Sequence, residues 1–480
     1  MTALRLFSIT VIIIIVLTPT VSIANNDIPY HYNVHIPDDM SQFNVEICFT
    51  STSPSSTKFT LDKSNKHFTN IRRVISTTTY PASIKQLRSG LSHFNRGDCI
   101  AYTAPFDGNI TYPRYKGRQS IKEQILVTFS QWMWRPAKQE TKPITINYYL
   151  AEHLEVSAPG HLLSTSPGKR TYLLQPRPQD WEGRIAIGQF KSITRFKNDA
   201  RINIAILNDI STNNQNKLIQ WIDANLSALY QVYNELPVND LQLLVVPVGR
   251  DKEPVPWGQV MRGGGDAVHL YIDETRPLQE FMDDWVLIHE LSHLLHPLLT
   301  VDSKWLSEGL ASYYQNVLRA RSGLLTEKQA WEKMIAGFNR GIRGTSSEHS
   351  LTQDSETMMR NRSFMRVYWS GAAISLTADT LLRNKSRNKQ SLDSALHHFK
   401  DCCLPMDRKW SGFEFMQKLD ELTNTSLFTQ LYEDNAHSTH FPDLVHVYNS
   451  LGLINNGDEV YFKAKDINTR RIIMRKKYSE

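Results

Sequence analysis

The chain is predicted to be an α+β protein of several domains. An N-terminal β-sandwich leads, a mixed domain built round a histidine-bearing helix follows, and a helical region closes it. Three observations carry this. Short alternating apolar runs fill the first third, a strongly periodic stretch from Phe281 to Tyr314 contains HELSH, and helical periodicity dominates after Tyr368. The boundaries fall at residues 1–24 for a leader, 25–177 for the sandwich, 178–385 for the mixed domain and 386–480 for the helical region. The 480 residues allow roughly two to four domains, each with its own core. A hydrophobic content of 41% with 21% charged residues is that of a globular protein. The net charge of +6 is mild, and the longest basic block is Arg475-Lys476-Lys477, which argues against a nucleic-acid binder.

Met1 to Ala24 has the form of a secretory signal peptide. Arg5 is its charge, Leu6 to Leu17 its apolar core, and Ser22-Ile23-Ala24 its small-residue cleavage site. The competing reading is an uncleaved membrane anchor, but the run is short of the ~20 apolar residues a spanning helix needs. A secreted or periplasmic location follows, with no membrane contact after cleavage. Four cysteines in an exported chain invite disulfides. Cys48 and Cys99 lie in strand-like runs and are expected to bridge; the adjacent Cys402 and Cys403 bridge each other only with strain, and the sequence does not decide between that bridge and buried thiols.

From Asn25 to Arg177, HYNVHI, FNVEICFT, KFTLDK, CIAYTA, EQILVTF and ITINYYL are parted by Ser, Pro, Gly and Asn, the pattern of a sandwich. Trp132 to Pro136 should pack against it or brace the domain interface. A Pro-rich linker spans Gln175 to Asp180. RIAIGQF and RINIAIL then predict strands, Asn216 to Leu236 an amphipathic helix and LQLLVVPVG a buried strand. Gly263, Gly264, Gly265 and Asp266 precede AVHLYID, an alternating run that predicts an edge strand. Such an edge can hold an extended peptide by main-chain pairing, and the glycines would let its backbone approach.

The next helix is expected to start at Pro277 and to end at or before His296, with Leu278, Phe281, Trp285, Ile288 and Leu295 as its apolar stripe and Pro297 as its stop. One turn apart on it, His289 and His293 are separated by ~40° round the axis and ~6 Å along it, so one metal ion can take both. Glu290 lies ~100° round from His289, beside the metal, where a general base belongs. A second helix follows, capped by Asp302 or Ser303 and stopped by Gly323. Glu308 sits on its first turns among apolar neighbours, and a buried carboxylate needs a partner. Two histidines and a glutamate with an open fourth position are a catalytic zinc set. His296, His397, His398, His437 and His440 are assigned structural or solvated roles. Beyond Tyr368, Ser391 to Phe399 and Phe413 to Leu422 have helical periodicity.

HELSH, then Trp305-Leu306-Ser307-Glu308-Gly309-Leu310-Ala311, then Val367-Tyr368-Trp369-Ser370-Gly371-Ala372 resembles the thermolysin-like (gluzincin) zinc aminopeptidases. The likeness is greatest to the glycyl aminopeptidase family and to its cousins of the alanyl aminopeptidase and leukotriene-hydrolase type. It implies a thermolysin-like zinc metallopeptidase domain in the middle of the chain and one zinc ion per chain. It implies that Tyr368 donates a hydrogen bond to the oxyanion, and that a peptide or protein is the substrate. The chain departs from the alanyl type in one place. The glutamate that grips a substrate's free amine in G-x-M-E-N is missing, and Asp266 is the nearest acidic residue. The resemblance makes aminopeptidase action the first expectation, and the missing glutamate counts against it. Internal cleavage, or a non-catalytic binding role on the same fold, stands as the alternative. Oligomeric state is not legible in the sequence.

Overall fold

The structure is a computed structural model, and it describes residues 29–52, 59–60, 67–90, 94–105, 124–136, 143–175, 183–405, 408–457, 459–463 and 468–478. The expected leader and the linker from Pro176 onward lie outside those residues. Among the described residues no helix is long and apolar enough to cross a membrane.

The N-terminal third is the expected β-rich domain. Its large sheet has eight strands, and Tyr30–His35, Gln42–Phe49 and Cys99–Pro105 form its centre. Cys48 stands opposite Cys99 in the register of two antiparallel strands, and the two are bonded, as their strand context predicted. A smaller sheet of Glu155–Ser157, Arg184–Gly188 and Gln124–Thr128 packs on the large one. One core joins them, with Tyr32, Val34 and Ile47 from the large sheet against Val127, Ile185 and Ile187 from the small one. Trp132 and Trp134 fill this core rather than a surface. Tyr102 Oη donates to the Trp132 carbonyl at 2.8 Å and Tyr32 Oη to that of Trp134 at 2.5 Å.

Arg184–Gly188 was expected to open the mixed domain, yet it pairs with Gln124–Thr128 on the other side of the linker. Its alternation explains why. Ile185 and Ile187 point into the sandwich core, while Ala186 and Leu126 join Leu244, Val246 and Tyr271 of the next sheet. The small sheet is thus buried on both faces.

That next sheet has five strands in the order Lys191–Lys197, Ala200–Ile206, Asp240–Pro247, Ala267–Ile272, Trp257–Met261. The strand expected at its edge, Ala267–Ile272, is internal: all six residues are buried, and it pairs in parallel with Asp240–Pro247. The edge is Trp257–Met261, antiparallel to it and half-exposed. The helix Thr212–Tyr230 covers one face.

The expected single helix from Pro277 to His296 is two. Leu278–Asp283 ends where Asp284 turns extended, and Asp284 Oδ1 accepts the Val286 amide at 2.7 Å to start Val286–Ser292. A 3-10 turn over His293–Leu295 completes it. Lys304–Arg321 and Phe364–Ser386 then cross at two glycines. A Cβ on Gly309 would stand 2.3 Å from the Gly371 backbone, so only two missing side chains let these helices touch. Those are the glycines of the two motifs that contain Glu308 and Tyr368.

The C-terminal helices Leu392–Cys403, Gly412–Thr423 and Val445–Leu451 complete the fold. Cys402 and Cys403, which the sequence left undecided, are bonded to each other at the end of their helix, where Leu404 turns extended. The tail returns to the core, and Lys477 reaches the buried Asp393.

Candidate active site

The site lies where the edge strand, the Val286–Ser292 helix and the two crossing helices meet. The i,i+4 spacing puts His289 and His293 on one side of their helix, and the next helix brings Glu308 against them. Glu308 Oε2 is 3.3 Å from His289 Nε2 and 3.5 Å from His293 Nε2. The three ligand atoms lie within 4.8 Å of one another. Burial alone would raise the Glu308 carboxyl, but the two imidazoles pull it well below the ordinary carboxylate range.

The outer ring nitrogens are already occupied, which leaves the Nε2 lone pairs for an ion. His289 Nδ1 is 2.8 Å from Gln315 Oε1, two turns beyond Glu308 on the same helix. An amide oxygen only accepts, so His289 carries its proton on Nδ1. His293 Nδ1 is 3.1 Å from Ser307 Oγ. His296 supports this layer from behind. Burial and the nearby Arg262 hold it well below its ordinary pKa, hence neutral, and its Nδ1 meets the Pro297 carbonyl at 2.7 Å. Arg262 donates to the carbonyls of His293 and His296 and so ties the end of the zinc-type helix to the hairpin of the edge strand.

Glu290 turns away from the three ligands toward the edge strand, where Oε2 accepts the Val260 amide at 2.8 Å. Burial raises its carboxyl above the ordinary value, against the pull of His293 and His289. Gly258 makes room for it, since a Cβ there would come within 2.9 Å of Glu290 Cγ. Tyr368 approaches from the crossing helix. Its ring lies parallel to the His289 imidazole, with 5.7 Å between centroids. Trp285, 44% exposed, stands perpendicular to the His289 ring with 5.3 Å between centroids.

Sequence reasoning thus singled out five residues that the fold gathers at one place: His289, His293, Glu308, Glu290 and Tyr368. The glycine run is placed differently. A Cβ on Gly264 would strike the Phe129 ring, and one on Gly265 would lie 2.2 Å from the Gly160 amide nitrogen. The close approach that Gly264 and Gly265 allow is therefore to the β domain, not to a substrate. Gly263 accepts the Gly183 amide at 3.3 Å in the same contact. Asp266 is 8% exposed, and its carbonyl accepts the Gln242 amide. The edge strand Trp257–Met261, with Gln315 and Ser307, went unnoticed; the Gly258 between alternating neighbours was the one available signal.

The donor set fits zinc. Ligand atoms 2.0–2.2 Å from a tetrahedral zinc lie about 3.3–3.5 Å apart, the separations seen between Glu308 and each histidine. Among the described residues Glu235, His397 and Asp401 also come within ligand reach of one another, but Lys400 Nζ sits 2.8 Å from Glu235 Oε1. That group is an ion-pair network with its own cation.

Comparison with known proteins agrees with this geometry. A family model described as M61 glycyl aminopeptidase matches residues 295–391, a span containing Glu308 and Tyr368. An aminopeptidase N family protein from Idiomarina loihiensis superposes with a TM-score of 0.64 at 14% identity, over 88% of this chain and 78% of that one. Yeast LTA4 hydrolase superposes with a TM-score of 0.53 at 12% identity, over 89% and 71%. At such identities the likeness is one of fold. No curated protein sequence matches. Family match and fold both agree with the resemblance read from the motifs: the matching family model is that of a glycyl aminopeptidase, and the fold is shared with an aminopeptidase N family protein and an LTA4 hydrolase.

Proposed function

We propose that the protein is an exported zinc peptidase that trims peptides from a free N-terminus. One observation carries the reading above the rest. Glu308 stands from each histidine at the ligand-to-ligand separation of a tetrahedral zinc site, all three ligand atoms lie within 4.8 Å of one another, and Glu290 is beside them and free of the ligand set. One zinc ion per chain, held by His289, His293 and Glu308, would supply a Lewis acid and a bound water of pKa about 7.

The chain's own groups do the rest. Glu290 accepts the proton of the attacking water and delivers it to the departing amine nitrogen; a carboxyl raised by burial suits both transfers. Tyr368 donates its hydroxyl hydrogen to the developing oxyanion, a bond that strengthens as charge builds. The half-exposed strand Trp257–Met261 offers its outer edge to an extended peptide, which aligns the scissile bond beneath Glu290. Trp285 is placed to cover a substrate side chain next to His289. Asp266, at the end of the same hairpin, is the group proposed to meet the free amine. The Cys48–Cys99 bond supports the exported location.

The burial of Asp266 favours a second reading, in which the amine goes unread and the edge strand holds an internal stretch of peptide. Two matched peptides separate the readings, one free and one acetylated at its N-terminus, each with and without a chelator. Chelator-sensitive cleavage of the free peptide alone establishes an aminopeptidase, and cleavage of both an endopeptidase. A zinc-loaded protein that cleaves neither refutes the catalytic reading.

A further inference from the structure

Away from the zinc-type site, the start of the Tyr368 helix borders a cavity of about 290 Å³ lined by four arginines: Arg340, Arg343, Arg362 and Arg366. Ser363, Met365 and Gly344 complete the lining, and no carboxylate contributes to it. Arg340 and Arg343 come from the last turn of the helix Glu327–Arg343, and Arg362 from the left-handed residue just before Phe364–Ser386. Like charges from separate elements repel, so their convergence costs stability unless something anionic joins them.

Arg366 and Arg340 are compensated within the fold; among the described residues, Arg343 and Arg362 are not. Arg366 is fully buried and gives its Nη atoms to the carbonyls of Ser438 and Thr439. Its Nε lies 3.3 Å from Asp354 Oδ2, in ion-pair range, yet makes no hydrogen bond. Arg340 lies over the Trp369 ring at 5.1 Å. Arg343 and Arg362 are exposed and make no ion pair with any described residue. The helix start adds to the same field. Ser363 stands at its N-cap but turns its hydroxyl to the Asp354 carbonyl at 3.0 Å, so no side chain caps the first amides, and the first turn holds no acidic residue. This 23-residue helix therefore begins, uncapped by any side chain, beside the exposed guanidinium groups of Arg343 and Arg362.

We propose that this cavity binds a tetrahedral oxyanion, a phosphate or sulfate group. The donors decide the class. Guanidinium groups carried by two separate elements offer more hydrogens than the two oxygens of a carboxylate accept. A tetrahedral dianion takes them and neutralises the cluster. The cavity holds the volume of about ten waters at roughly 30 Å³ each, more than a bare ion fills, so a small group carrying the phosphate or sulfate fits with it.

Titration calorimetry on the zinc-loaded full chain tests this, with inorganic phosphate, sulfate and O-phosphoserine against chloride at matched ionic strength. Phosphate is expected to bind saturably, and the double substitution Arg343→Ala with Arg362→Ala to weaken it at least about tenfold. Both side chains are exposed, and an unchanged melting temperature in chloride shows that the variant is folded. O-phosphoserine binding tighter than phosphate identifies a carried group; equal binding identifies the free ion, and both support the site. No saturable binding of any of the three, or binding that survives unchanged in the double variant and so belongs to the metal centre, overturns the proposal.

Discussion

Gln315 accepts the Nδ1 proton of His289 at 2.8 Å, and this bond decides which face of the imidazole is left for a metal. Gln315→Ala should therefore weaken zinc binding about 10–100-fold, as loss of a ligand-orienting partner does. Gln315→Glu, which keeps an acceptor, should restore most of it. Competition against a chromophoric chelator measures both, and an alanine variant that holds zinc as tightly as the parent would remove Gln315 from this role.

Glu290 and Tyr368 are separable from the ligand set. Glu290→Gln should retain zinc and lose about 10²–10⁴ in kcat. Tyr368→Phe should lose about 10²–10³ in kcat, with KM nearly unchanged, because its bond matures only as the oxyanion forms. Metal analysis beside steady-state kinetics checks the pair; full turnover by the glutamine variant would refute Glu290 as the base.

Asp284, which starts the zinc-type helix, is raised to about 7 by burial, with the Val286 amide and Arg319 pulling the other way. Between its ordinary 3.8 and about 7 the folded chain holds a proton that the unfolded chain has released. Its contribution is therefore complete at low pH and is lost as pH rises through that window, by about 1–3 kcal/mol. Asp284→Asn keeps the amide contact and should flatten this decline. Urea unfolding at pH 5 and pH 8 measures it; parallel pH slopes for variant and parent would refute the assignment.

Asp393 gathers three cations in the core. Arg321 Nη2 lies at 3.0 Å and Arg383 Nη2 at 3.5 Å, with Lys477 of the tail close by, and Tyr314 donates its hydroxyl at 2.9 Å. Asp393→Ala leaves buried guanidinium groups unpaired and should cost about 3–5 kcal/mol. Lys477→Ala, which removes a cation instead, should cost far less. A urea midpoint for the aspartate variant within error of the parent would show that the cluster is not needed.

The Gly309–Gly371 contact fixes the distance between the helices of Glu308 and Tyr368. Gly309→Ala should push them apart and lower kcat more than about 1–3 kcal/mol of overpacking lowers stability. Comparing thermal melts with kinetics separates the two effects, and a variant with parental kcat would show that the crossing tolerates a methyl group.

Much of the site was legible because its chemistry is local in sequence. His289, Glu290 and His293 share one turn, and Glu308 and Tyr368 each sit in a compact motif. What was missed depends on partners far along the chain. Trp257–Met261 is an edge strand only because Ala267–Ile272 lies inside it, and that strand's burial on both faces hid under an apparent alternation. Gly264 and Gly265 read as room for a substrate because the occupants, Phe129 and Gly160, come from another domain. The break at Asp284 was hidden by an unbroken apolar stripe. The four arginines converge from turns that no periodicity links.

The strand Arg184–Gly188 bears on inheritance as well as on packing. It follows the linker yet completes the sheet before it, and its two faces feed two different cores. The β-rich part and the part that follows it cannot be cut apart at the Pro-rich segment and exchanged as modules. A swap made there would remove a strand from one partner and uncover Leu244, Val246 and Tyr271 on the other. Recombination would have to carry the small sheet whole, which joins the histories of the two halves.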